Sequence, residues 1–184
     1  MKIDYSEQML TWEWEGSEIK IELPDIIHAE YHKDENIVIV YSGENFVSEI
    51  IFYFSLEGKL LGRQNLLEGT LDWNHNGKHQ VIFHHLHCLR FNPNNQRIFS
   101  IFRSSSDFDV PSELEVYNLE GEIIDQIESP AGFTMLYISE ISKEKLRIVC
   151  EALKEDCFDK SGRSDFYFNL DLETRKWVKD GFAY

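Results

Sequence analysis

A hairpin recurs four times in this chain, and it leaves few folds open. Trp12 to Ile19, Phe54 to Leu61, Tyr117 to Ile124 and Leu170 to Trp177 superimpose without a gap when aligned on Glu15, Glu57, Glu120 and Glu173. The column before the acidic residue holds Trp14, Leu56, Leu119 and Leu172, and the column two residues earlier holds Trp12, Phe54, Tyr117 and Leu170. A third column, beyond the turn, reads Ile19, Leu61, Ile124 and Trp177. Apolar columns alternating about a turn have the two-residue period of a strand. Gly16, Gly58 and Gly121 follow the acidic residue in three copies, and Thr174 in the fourth, where a hairpin needs the positive φ that glycine reaches without steric cost.

Between these copies lies a second kind of hairpin, at His28 to Tyr41, His87 to Phe102 and Leu136 to Cys150. Its turns are polar: His32 to Asn36, Asn92-Pro93-Asn94-Asn95 and Ser142-Lys143-Glu144-Lys145. Alternation of the two kinds gives about fourteen short strands. No window shows a helical apolar period with caps.

Four-stranded antiparallel meanders repeated at a spacing near 50 residues are the sequence mark of propeller blades. The intervals between the leucines of the first column are 63 and 53 residues. The longer one contains an insertion at about 66–83, in which Asn74-His75-Asn76-Gly77 reads as the turn of a further hairpin. The pattern resembles the blades of small bacterial β-propeller-like repeat proteins, in which a strand ends in an aliphatic-acidic-Gly turn before a second aliphatic strand. The Gly-His and Trp-Asp signatures of tryptophan-aspartate repeats and the paired glycine of kelch repeats are absent. The expectation is therefore a single all-β repeat domain over residues 1–184, built of antiparallel four-stranded meanders into a small or incomplete β-propeller-like fold. A twisted β-sandwich is the alternative, since three meanders and a leading hairpin fall short of a closed ring.

A chain of this length can bury a sizeable core, and 42% hydrophobic with 14% aromatic residues argues against disorder despite the charge. Eighteen basic against 33 acidic residues leave a net charge of −15, which repels phosphate backbones and anionic membranes and steers basic proteins inward. Cys88, Cys150 and Cys157 are an odd number without metal-type pairing, so no disulfide framework is implied. The N-terminus carries Asp4 and Glu7 where a signal peptide would be apolar, and a cytoplasmic location is expected.

The densest chemical cluster is His75, His79, His84, His85, His87 and Cys88. On a regular strand His85 and His87 would share a face and could supply two zinc ligands, with His75 or His79 as a third. The segment lacks His-Glu-x-x-His and Cys-x-x-Cys, so no bound metal or other cofactor is expected. Glu155 to Asp165 resembles a calcium loop only until its register is tested, because placing Gly162 sixth puts Cys157 first and Phe168 twelfth. That loop, Ser42 to Ser48 and Ser104 to Ser112 are expected to be polar and solvated. No nucleophile elbow or phosphate loop occurs, and no catalytic residues are assigned.

In a repeat protein individuality resides in insertions and connecting loops, so Asp72, Trp73, Asp107, Asp109, Asp156 and Asp159 are the candidate partner-binding residues. Trp73 stands out as an aromatic outside the repeat columns. Acidity, size and the lack of catalytic machinery resemble the immunity proteins that bacteria pair with toxic nucleases. That resemblance implies an inhibitor of a basic protein partner, with no nucleic acid or membrane bound and no enzymatic activity. The alternatives are a ligand-binding propeller-like protein and a metal-dependent enzyme using the His75 to Cys88 segment.

Overall fold

The computed structural model describes residues 1–83, 85–103 and 110–183. It divides into two compact units, Met1–Phe83 and His84–Tyr184. Both are all-β, and every strand pairing is antiparallel. In all four sheets, neighbours in sequence are neighbours in space, which is the uncrossed meander of a propeller-like blade.

The N-terminal unit begins with a three-stranded sheet of β1 (Ile3–Tyr5), β2 (Met9–Trp14) and β3 (Ser17–Glu22). Its second sheet has six strands: β4 (Ile26–His32), β5 (Ile37–Ser42), β6 (Ile50–Phe54), β7 (Leu60–Asn65), β8 (Thr70–Asn74) and β9 (Lys78–Ile82). The C-terminal unit has two four-stranded sheets. The first runs β10 (Leu86–Asn92), β11 (Arg97–Phe102), β12 (Glu113–Tyr117), β13 (Ile123–Glu128), and the second β14 (Phe133–Ile141), β15 (Lys145–Ala152), β16 (Asp165–Asp171), β17 (Trp177–Phe182).

The sequence reading anticipates fourteen of these strands and both hairpin kinds. The three strands beyond those fourteen are β1, which pairs with β2, and the β8–β9 hairpin, whose turn falls at the Asn74 to Gly77 segment read from the sequence. That hairpin is the 66–83 insertion, and it widens its sheet to six strands by pairing β8 with β7. Helical structure is confined to single 3-10 turns at Glu44–Phe46, Pro93–Asn95 and Glu155–Cys157 among the described residues. No helix among them is long and apolar enough to cross a membrane.

Hydrophobicity dictates which strands lie centrally. Ile37 to Val40 on β5 and Ile98 to Ile101 on β11 are buried on both faces, so runs of β-branched and aromatic residues replace alternation there. The outer strands β3 and β13 alternate or stay exposed.

The four equivalent turns share sequence spacing but not geometry. The β2–β3 turn is the tight two-residue form, with Glu15 and Gly16 both at positive φ and Trp14 opposite Ser17. In the β6–β7 and β12–β13 turns the chain closes one residue after the glycine, from Ser55 N to Lys59 O and from Asn118 N to Glu122 O. The residue before the leucine braces each turn: Ser55 Oγ accepts from Lys59 N, and Asn118 Oδ1 from Glu120 N and Glu122 N. The fourth turn departs from expectation. It is a residue longer, Arg175 rather than Thr174 takes positive φ, and Asp171 Oδ1 collects the amides of Glu173 and Thr174. Leu56 and Leu119 are buried as the alignment requires, whereas Leu172 is half-buried.

Each unit has its own core. In the N-terminal unit Leu10 and Trp12 of β2 pack with Val38, Val40 and Phe54 of the second sheet, and Trp12 Nε1 donates to the Leu56 carbonyl at 2.7 Å. Gly58 sits so close to this contact that a Cβ there would lie 2.7 Å from Ile19 Cγ2. In the C-terminal unit Phe99, Ile101, Leu114 and Val116 pack with Met135, Ile148 and Phe168. The two sheets there are also joined by polar contacts, from Trp177 Nε1 to the Glu128 carbonyl and through a hydroxyl group of Ser112, Ser129 and Thr134.

Candidate functional site

Among the described residues, a cluster of strongly exposed apolar side chains lies at one end of the six-stranded sheet. Antiparallel order brings the β5–β6 loop and the β7–β8 turn to the same end, and Leu66 N donates to the Glu49 carbonyl at 2.8 Å, so the two run side by side. They carry Phe46 at 89% exposure, Val47 at 63%, Leu67 at 76% and Leu66 at 38%. Scattered exposed apolar residues are commonplace, but these four lie on two loops that a backbone hydrogen bond joins, a setting in which apolar interaction sites arise.

The backbone explains why the ring of Phe46 faces water. Asn45 and Phe46 both adopt left-handed φ, at 52° and 61°. Asparagine tolerates this, whereas for phenylalanine it costs about 1 kcal/mol or more. Gly43 N donates to Asp25 O, Val47 N to Glu44 O and Glu49 N to Ser42 O, which pins the loop base and holds the strain in place. Any Cβ at Gly43 would lie 2.1 Å from the Val47 carbonyl oxygen. Glu44 and Glu68 are exposed beside the patch and Glu49 is half-buried, and none of the three forms an ion pair among the described residues. The loop read from sequence as merely polar and solvated thus presents the most exposed aromatic described.

The residues chosen from sequence are not gathered into one site. Asp72 is half-buried on β8 and accepts from Gln80 Nε2 at 2.7 Å. Trp73 is a correction: it is 3% exposed, inside the sheet on β8, and stacks on His79 with ring centroids 5.4 Å apart. Its place outside the repeat columns suggests an exposed recognition residue, but it lies on a strand of the insertion's hairpin and its indole is buried there. Asp156 is exposed in the 3-10 turn before Phe158. Asp159 is occupied by its own loop, since its carboxylate accepts from Ser161 N, Arg163 N and Arg163 Nε, each at 2.8 Å. The Arg163 backbone N–H and then its guanidinium hold that carboxyl below its ordinary range. Asp107 and Asp109 lie outside the described residues, as does His84.

The histidine segment does not form the face expected of it. His85 takes positive φ ahead of β10, and a bulge between Leu86 and Cys88 breaks the alternation that would align it with His87. Burial, and then the charge of Arg103, push the His87 imidazole down, and burial pushes the Cys88 thiol up, away from the ligating thiolate. His79 Nε2 contacts the His75 carbonyl at 2.6 Å. No three His, Cys, Asp or Glu side chains converge on a metal-binding geometry among the described residues.

A titratable cluster that the sequence reading missed lies on β4. His28, Glu30 and His32 alternate on one face of the strand. His32 Nε2 is 2.9 Å from Glu30 Oε1, His32 Nδ1 is 3.8 Å from the buried Glu35, and Tyr41 donates to Glu30 at 3.1 Å. Burial opposes the charge on Glu30, yet hydrogen bonds from His32 and Tyr41 and the nearby imidazoles hold its carboxyl below the ordinary range. The i, i+2, i+4 spacing His-x-Glu-x-His was the signal that could have disclosed it.

No protein-family model matches the chain, and no curated protein does. Among solved structures, the N-terminal domain of Nup159 aligns over 97% of this chain and 57% of its own, at 10% identity and a TM-score of 0.44. A chain from the S. cerevisiae complex of a Dbp5 variant with Nup159, a Gle1 variant, IP6 and ADP aligns over 97% and 60%, at 12% identity and a TM-score of 0.41. The chain thus spans less than two thirds of the length of these structures.

Proposed function

We propose that this chain is a non-enzymatic, cytoplasmic protein-binding domain that captures a basic partner protein, in the manner of an immunity protein or other inhibitor. The observation that carries the reading is uncompensated negative charge. Fifteen of the 33 acidic residues but 6 of the 18 basic ones lie in the N-terminal unit. Its lysine–carboxylate pairs among the described residues are local, Lys2 with Asp4 and Lys20 with Glu18. Glu7, Glu13, Glu22, Glu44, Glu57 and Glu68 are exposed and outside any ion pair among the described residues. Such a field accelerates encounter with a cationic surface and rejects polyanions.

The test is affinity capture from the source cells, identification of the bound protein, and measurement of its association rate with this chain. The expected partner is basic, and its association slows at least tenfold between about 50 and 500 mM salt as screening shortens. Reversing Glu44, Glu68 and Asp156 to Lys slows it further without altering the circular dichroism spectrum. A partner that is acidic, or whose association ignores both salt and reversals, sinks the proposal.

A further inference from the structure

We infer that the tip formed by Phe46, Val47, Leu66 and Leu67 is the anchor of the interface, and that it inserts into an apolar recess rimmed by Lys and Arg on the partner. The inference rests on the reading of the domain as a binder of a basic protein and names the surface that does the binding. Three observations converge on it. The four side chains are the large exposed apolar groups of two loops that a backbone hydrogen bond joins side by side. The Phe46 ring is directed outward by a backbone in left-handed conformation over a glycine-dependent base, so the loop backbone that presents it is set before binding and costs little further ordering on docking. Glu44 and Glu68 flank the tip with free carboxylates.

The charge selects the occupant. A second copy would bring the same glutamates face to face, and an anionic membrane would be repelled in the same way, whereas a recess edged with cations neutralises them. An aromatic centre with a charged rim is also the usual division between affinity and steering at protein interfaces.

The probe is a phage-displayed library of random dodecapeptides selected on the whole chain, followed by calorimetry of the synthetic winners. Enriched peptides should combine Lys or Arg with aromatic or aliphatic residues. They should bind Phe46→Ala at least tenfold more weakly and Glu44→Lys/Glu68→Lys more weakly at low salt. Both variants should melt as the parent does, because the removed side chains are exposed. Basic, salt-sensitive peptides that bind Phe46→Ala as tightly as the parent would overturn the anchor while leaving the basic-partner reading intact. Winners without excess Lys or Arg would overturn that reading too. Failure to enrich any peptide counts against the tip as a docking surface. A parent that sediments as a dimer while Phe46→Ala sediments as a monomer would give the tip to a second copy and end the proposal.

Discussion

Replacing Trp12 by Phe should destabilise the N-terminal unit by about 2–4 kcal/mol, while Trp177→Phe should cost under about 1 kcal/mol. Both indoles donate across two sheets, Trp12 to the Leu56 carbonyl at 2.7 Å and Trp177 to the Glu128 carbonyl at 3.1 Å. What separates them is water. Trp12 is 3% exposed, so its loss leaves a buried carbonyl without this donor, a penalty of about 1–3 kcal/mol. The smaller ring also leaves a void of roughly 40 Å³, worth ~1 kcal/mol at about 24 cal/mol per Å³. The bond of Trp177 is exposed, and solvent replaces the donor. Urea unfolding followed by far-ultraviolet circular dichroism gives the comparison, and Trp14 and Trp73 remain as fluorescent reporters of the unit carrying Trp12. With a slope of about 2 kcal/mol per M, the midpoint should fall by roughly 1–2 M for Trp12→Phe and by less than about 0.5 M for Trp177→Phe. Equal shifts would refute the argument that burial of the acceptor sets the cost.

Three further outcomes follow from the same structure. Leu119→Ala should cost about 2–5 kcal/mol and Leu172→Ala roughly half as much, because only the first leucine is buried, and thermal melts of the two variants check the ratio. Because the Asp159 carboxyl is held below its unfolded value, its contribution is present above the ordinary carboxylate range and is lost as pH falls through the depressed value. The Ser161 and Arg163 amides should therefore stay protected from hydrogen exchange at neutral pH and lose protection in acid, whereas Asp159→Asn should lack that transition. Ser112→Ala should destabilise the C-terminal unit by about 1–3 kcal/mol, since Met135 N donates to the buried Ser112 hydroxyl at 2.6 Å, and a midpoint unchanged in urea would contradict this.

Strand identity was legible because burial imposes period, and the leucine and aromatic columns at Leu56, Leu119, Phe54 and Tyr117 disclose it without any partner strand in view. Turn geometry was less so. Identical spacing supports closures of different length because the side chains of Asn118 and Asp171 compete for turn amides, a local choice that apolar columns do not encode. Asp159 and Asp72 stand out in the sequence as carboxylates in a connecting loop and an insertion, but position and charge do not say whether a carboxylate faces solvent or is taken by a neighbouring group. Phe46 escapes a reading of the sequence for a related reason: a single aromatic in a short polar loop carries no periodic signal, and its exposure arises from φ angles that only the folded loop reveals.

The hydroxyls of Ser112, Ser129 and Thr134 bear on how the two sheets of the C-terminal unit find their seating. Oily surfaces slide past each other with little change in buried area, so a misplaced sheet could retain most of its hydrophobic gain. Ser112 Oγ, however, serves both the amide and the carbonyl of Met135, while Ser112 N donates to Thr134 Oγ1 at 3.0 Å. A slip of one residue, about 3.4 Å, separates every one of these pairs at positions buried from solvent. Three small side chains thereby convert a continuous sliding coordinate into a notch, and the margin between correct and nearly correct docking is set by their hydrogen bonds more than by the much larger apolar area around them.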